Sequence, residues 1–142
     1  MKKFISGIII SASVLSSAVA FAQAPSVYLN GEKMTFEADP YISEERTMVP
    51  FRAIFEAVDA DVMWDEQTRT VIAVKSTDSE TTSIALQIGS DKAFVNGAEV
   101  TLDKPAEITS DFTFVPLRFV MESLGANVEW DNDAYSVIIT TN

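Results

Sequence analysis

The chain contains no cysteine and no histidine among its 142 residues. The first absence excludes disulfides, thiolate metal sites, a cysteine nucleophile and the lipid-carrying cysteine of a bacterial lipoprotein. The second removes the base of the common serine and cysteine triads, and together they remove the usual zinc ligand sets. Basic charge is scarce: 10 Lys and Arg stand against 21 Asp and Glu, a formal net charge of −11. Such a surface repels phosphate backbones and anionic lipid headgroups, so nucleic acid and membrane surfaces are poor partners. Its plain use is solubility; its sharper one would be divalent cation binding.

No long apolar run follows residue 22. Before it, Lys2 and Lys3 precede an apolar stretch from Phe4 to Leu15, and Ala20-Phe21-Ala22 has the small-x-small form of a signal-peptidase site. Residues 1–22 are therefore predicted to be a secretory signal cut after Ala22. A cut after Ala24 would leave Pro25 first, which is usually avoided. The apolar stretch is about 12 residues, short of the ~20 a bilayer span needs, so no membrane insertion is expected after cleavage. Without Lys2 and Lys3, 8 basic side chains face 21 acidic ones, a net of −13. An exported chain without disulfides must rely on its core, which suits a bacterial product outside the cytoplasm.

What the sequence does contain is itself twice over. Val49-Pro50-Phe51-Arg52 and Val62-Met63-Trp64-Asp65 return 66 positions later as Val115-Pro116-Leu117-Arg118 and Val128-Glu129-Trp130-Asp131. The register holds without a gap from Asn30-Gly31 against Asn96-Gly97 to Val71-Ile72 against Val137-Ile138. This is an internal repeat, with copies over 27–76 and 93–140. Each Asn-Gly lies between apolar runs, the strongest short hairpin signal, because a type I′ turn needs positive φ at both central residues. Pro50 and Pro116 close a short strand and open a helix. The buried helix faces are Phe51, Ile54, Phe55 and Val58, then Leu117, Val120, Met121 and Leu124, at i, i+3, i+4 and i+7. Gly125 falls where a left-handed C-terminal cap belongs, and Asp59 takes that place in the first copy.

Each helix is about two turns long and must be fixed by packing on a sheet. Glu37 to Glu45 reads as an acidic connection and Ser76 to Ser83 as a polar linker. Ile84 to Gly89 alternates as a strand that ties the copies together. A half of 50 to 60 residues would bury only about 60 per cent of its surface, so one joint core over 23–142 is expected. The fold class is α+β: an antiparallel sheet wrapped on short helices, built from two pseudo-repeated halves sharing one core.

The Asn-Gly hairpin, Thr-x-Val-Pro-x-Arg (Thr47 to Arg52, Thr113 to Arg118) and a short helix ending in Leu124-Gly125-Ala126-Asn127-Val128-Glu129-Trp130-Asp131 carry a family signature. In these residues, and in both copies, the chain resembles the copper amine oxidase N-terminal-like domain, also called the stalk domain. Val58-Asp59 departs from the Leu-Gly usual there. The resemblance implies a sheet wrapped on helix in exported bacterial proteins. It does not imply an oxidase, since the copper and quinone chemistry belongs to a separate catalytic domain with three histidine ligands. Copper(II) prefers imidazole-rich sites, which a chain without histidine cannot build.

Catalytic residues are therefore expected to be none, with no cofactor. A glycosidase would need a substrate groove, which so small a chain could hardly supply. Arg52 with Glu56, and Arg118 with Glu122, stand four apart; they read as helix surface pairs or as arginines bonding loop carbonyls rather than as an anion clamp. Trp64 and Trp130, in phase with Val62 and Val128, are predicted to point into the core. Tyr28, Tyr41 and Tyr135 are then the exposed aromatics available to a glycan. Asp131 and Asp133, with Asp65 in the matching turn, are weak calcium candidates in an incomplete loop. The function expected is a structural or interaction module of the bacterial envelope or extracellular space, bound to an envelope protein. The alternative is recognition of cell-wall or extracellular glycan.

Overall fold

The structure is a computed structural model that describes residues 23–141. The segment read as a secretory signal lies outside the described residues.

Two hairpins are set by their turns. Strands β1 (Ser26–Leu29) and β2 (Glu32–Lys33) join at Asn30 (φ 51°) and Gly31 (φ 88°). Later, β8 (Lys92–Val95) and β9 (Ala98–Thr101) join at Asn96 (φ 52°) and Gly97 (φ 83°). Positive φ at both central residues is the backbone that Asn-Gly tolerates best. The asparagine side chains do further work: Asn30 bonds both the backbone N–H and the hydroxyl of Thr141, and Asn96 Oδ1 accepts the Ser83 N–H at 2.8 Å.

Two other hairpins lie where the sequence carries no such signal. The acidic connection contains β3 (Tyr41–Ser43), which turns through Glu44 (φ 52°) and Glu45 (φ 67°) into β4 (Arg46–Pro50). Similarly β10 (Glu107–Thr109) turns through Ser110 (φ 51°) and Asp111 (φ 69°) into β11 (Phe112–Pro116). Non-glycine residues in this region are held there by the pairing on either side.

Each of β4 and β11 runs straight into a helix, α1 (Phe51–Ala57) or α2 (Leu117–Ser123), with Pro50 or Pro116 at the N-cap. Both helices end in the same left-handed cap. The Ala60 N–H reaches the Phe55 carbonyl and the Ala126 N–H reaches that of Met121, each at 3.0 Å, across Asp59 (φ 62°) and Gly125 (φ 90°). Hairpins β5 (Asp61–Asp65) with β6 (Thr70–Ser76), and β12 (Asn127–Asp131) with β13 (Ser136–Thr140), follow the two helices.

The stretch read as a linker is a tight turn at 77–80, closed by the Thr77 N–H on the Glu80 carbonyl at 2.8 Å. The strand behind it, β7 (Thr81–Gln87), is central in a five-stranded sheet ordered β9-β8-β7-β6-β5. The other sheets are β10-β11-β4-β3 and β12-β13-β1-β2. Among the described residues all pairings are antiparallel except β13 with β1, which is parallel. This corrects the expectation of a wholly antiparallel sheet: nearly the whole described chain separates the two strands, so the long crossover that parallel pairing needs is already there.

One buried cluster draws on both ends of the chain, among them Val27, Val49, Phe55, Leu86, Val115 and Ile139. Strands β4 and β11 pair at its middle, with Val49 opposite Val115. The helices cover this cluster through Ile54, Phe55, Val120 and Met121, all fully buried.

Candidate functional site

A groove of about 760 Å³ opens beside α2, walled by the β3–β4 hairpin, the segment after β9 and strand β12. Its apolar lining includes Ile42, Leu102, Leu117, Phe119 and Trp130. The groove corrects the expectation that so small a chain could hardly form one. Three sheets meeting around two short helices leave a concave seam, and burying each helix on its inner side only is what opens it.

Ion pairs tie its walls together. Arg46 Nη2 lies 2.6 Å from Asp103 Oδ2, joining β4 to the segment after β9. Lys104 Nζ reaches Glu107 at 3.2 Å and Glu44 at 3.6 Å. Arg118 Nη1 donates to Glu122 at 3.1 Å and to the Val128 carbonyl at 2.9 Å, fastening α2 to β12. The helix pair expected of this arginine is present, but the carbonyl it bonds lies in strand β12 rather than in the adjoining loop. Arg52 keeps the helix pair only, 3.5 Å from Glu56, with its guanidinium 5.4 Å from the centre of the Phe51 ring.

Tyr41, next to the groove-lining Ile42 on β3, points to the other side of its strand. Its hydroxyl donates to the Glu107 carboxylate and lies 2.9 Å from the Thr109 hydroxyl, while its ring packs 4.7 Å from that of Phe114. It is thus a half-buried strut rather than a free platform. Burial, and then the bond to Glu107, push its pKa up to about 12. The fold favours the neutral phenol, so its stabilisation is complete below the ordinary value near 10 and is lost as pH rises through about 12. Spectrophotometric titration should show one late tyrosine step that Tyr41→Phe removes, with about 1 kcal/mol of stability lost at neutral pH. A titration unchanged by the substitution would contradict this.

The tryptophans differ from each other, and only Trp130 departs from the expected core position. Trp64 is half-buried, packs against the core with its ring centre 6.4 Å from that of Phe51, and donates its N–H to Glu66 at 2.8 Å. Trp130 is 37% exposed. It shares the strand face of Val128, as alternation requires, but lies past the core's edge on the groove wall. The first residue of α2 is Leu117 where α1 has Phe51, so no second ring covers Trp130. Tyr135 meets it edge-on instead, at 5.2 Å and 79°.

The acidic turns are committed to their own backbone. Asp65 Oδ1 accepts the N–H groups of Gln67 and Thr68, and Asp131 Oδ1 accepts that of Ala134. Among the described residues, no three His, Cys, Asp or Glu side chains converge as metal ligands, and Asp133 is an exposed turn residue. The signature residues are thus dispersed: Asn30, Gly31, Asn96 and Gly97 turn hairpins, Pro50 and Gly125 bound helices, and Pro116, Arg118 and Trp130 meet at the groove. No helix among the described residues is long and apolar enough to cross a membrane.

The family model for the copper amine oxidase N-terminal domain matches residues 28–139. The chain belongs to this family. No curated protein matches it. A copper amine oxidase N-terminal domain is an accessory, non-catalytic domain. The family name brings no copper site with it: a chain without histidine or cysteine does not fit that metal.

Proposed function

We propose that the chain is an exported, non-catalytic interaction module of the bacterial envelope or extracellular space. In this reading it comprises a signal at 1–22 and one domain of two pseudo-repeated halves at 23–142. The leader-like start, the acidity and the family membership support it, as do helices beginning 66 positions apart at Phe51 and Leu117.

The observation that carries it is a row of apolar residues across the outer face of the five-stranded sheet. Met63, Ile72, Ala85 and Phe94 stand opposite one another on β5, β6, β7 and β8. Met63 is 58% exposed and Phe94 44%. The matching row on the sheet ordered β12-β13-β1-β2 reads Glu129, Ile138, Tyr28 and Lys33, so the scaffold does not require apolar ends there. A contiguous apolar strip with a polar rim is what a protein partner buries.

The test is co-sedimentation of residues 23–142 with bacterial envelopes, intact and protease-stripped. Pelleting with intact envelopes, lost in the Met63→Ser/Phe94→Ser double variant, is expected. A supernatant position throughout, or undiminished pelleting of the variant, sinks the reading. Calcium and chelator should give equal pelleting, because Asp131 is engaged by its own turn. A second reading, glycan recognition, is favoured by the exposed Trp130 in its groove.

A further inference from the structure

We propose that the groove beside Trp130 is a subsite for an uncharged oligosaccharide, with the indole as its platform; this rests on the second, glycan-binding reading. Three features point to that ligand class.

The first is a rigid aromatic face at the groove wall. The Trp130 N–H donates to Asn132 Oδ1 at 3.3 Å and Tyr135 stands edge-on to the ring, which fixes the indole plane before any ligand arrives. A platform held this way loses little side-chain freedom on binding. The C–H face of a pyranose, weakly positive, lies flat on the negative face of such a ring. Trp64 cannot serve in this way, because Phe51 packs beside it.

The second is the chemistry of the rim. Arg46 with Asp103 and Arg118 with Glu122 present donors and acceptors side by side along the groove. Sugar hydroxyls both donate and accept, so they match such paired groups. Each cation is already answered by a carboxylate, and Glu45 and Glu129 add negative charge to the lining. With a net charge of −11 on the whole chain, an anionic polymer has nothing to gain there.

The third is size. About 760 Å³ lies within the roughly 300–1,000 Å³ range of small-ligand sites. The groove is also partly open to solvent, as a segment of a chain molecule requires.

The experiment is titration of the whole described chain with soluble hexamers of N-acetylglucosamine, glucose and xylose, read by tryptophan fluorescence and by calorimetry. Saturable binding of at least one hexamer is expected, weakened about tenfold or more in Trp130→Ala, a loss of about 1.4 kcal/mol. Trp64→Phe should bind normally. Trp130→Phe supplies a second variant: it keeps an aromatic face at the groove wall and should bind less tightly than the parent chain but more tightly than Trp130→Ala, while thermal unfolding stays cooperative. Polygalacturonate, an acidic glycan, should not bind.

No saturable binding of any neutral hexamer, or binding indifferent to Trp130→Ala, overturns the proposal. A peptide ligand displaying that same Trp130 dependence, in place of any sugar, overturns it as well. Loss of the sugar subsite leaves the apolar row untouched, since Met63 and Phe94 lie on another sheet and the double variant reads that surface separately.

Discussion

Deleting Ile84 to Gly89 is expected to leave no cooperative unfolding transition anywhere in the chain. Ile84 to Gln87 are the second half of β7, the middle strand of the five-stranded sheet, and Ile88 and Gly89 lie in the turn that follows. Strand β7 pairs with β6 from Thr70 opposite Gln87 to Ser76 opposite Thr81, and with β8 from Ile84 opposite Val95 to Leu86 opposite Ala93. The side chains of Ile84 and Leu86 are both essentially inaccessible. Removing them opens the cluster under both helices and strands the β8–β9 hairpin, which has no other sheet to join. Burying two such side chains contributes about 1.5–3 kcal/mol each before any cavity term, and the unpaired backbone of β6 and β8 adds to the loss. Against a total of about 5–15 kcal/mol the deletion leaves nothing. Circular dichroism and thermal unfolding check it; a sharp transition of near-native size in the deletion variant would show that the two halves stand independently.

Phe55→Ala is the single substitution expected to cost most. Phe55 is fully buried on α1, and its carbonyl also accepts two of the N–H bonds that close the helix. The helix is 7 residues long, too short to persist without this packing. Truncating a buried phenylalanine to alanine costs about 3–5 kcal/mol. For a chain of this length that lowers the melting temperature by on the order of 10–20 °C. Arg52→Ala, on the same helix but exposed, should change stability by less than about 0.5 kcal/mol. Urea denaturation of the two variants side by side decides between them, and equal effects would remove α1 from the core.

Much of this architecture was legible because local chemistry and global pairing agree. Asn-Gly strongly favours its turn, and the i, i+3, i+4, i+7 spacing of Phe51, Ile54, Phe55 and Val58, and of Leu117, Val120, Met121 and Leu124, is that of a helix with one buried side. The alternation from Ile84 announced a strand, although it begins earlier, at Thr81 in the stretch read as a linker, and ends at Gln87. The Glu44-Glu45 and Ser110-Asp111 turns were not legible, since neither pair favours positive φ and only the pairing of Ser43 with Arg46 and Thr109 with Phe112 holds them. Nor was the parallel β13–β1 pair, which depends on where distant segments meet.

Trp130 misled for a related reason. Alternation correctly assigned its strand face, but face is not depth, and the residue lies beyond the rim of the core. One clue was present in the sequence: the position of Phe51, whose ring packs beside Trp64, is taken in the second copy by Leu117, which offers Trp130 no ring. The groove itself needed three dimensions, because Arg46, Asp103 and Arg118 come together from segments far apart in the chain.

Neither half is expected to fold without the other. In residues 23–76 the three hairpins keep their own turns, but β1 loses β13, β4 loses β11 and β6 loses β7. Val27, Val49 and Val71, each almost wholly buried in the full chain, would then face water. A fragment this small has little core to spare. Thermal unfolding of the 23–76 fragment, beside the 23–142 chain, tests this directly. A featureless, non-cooperative melt for the fragment and a single sharp transition for the full chain is the expected result; a cooperative transition in the fragment alone would contradict the shared core.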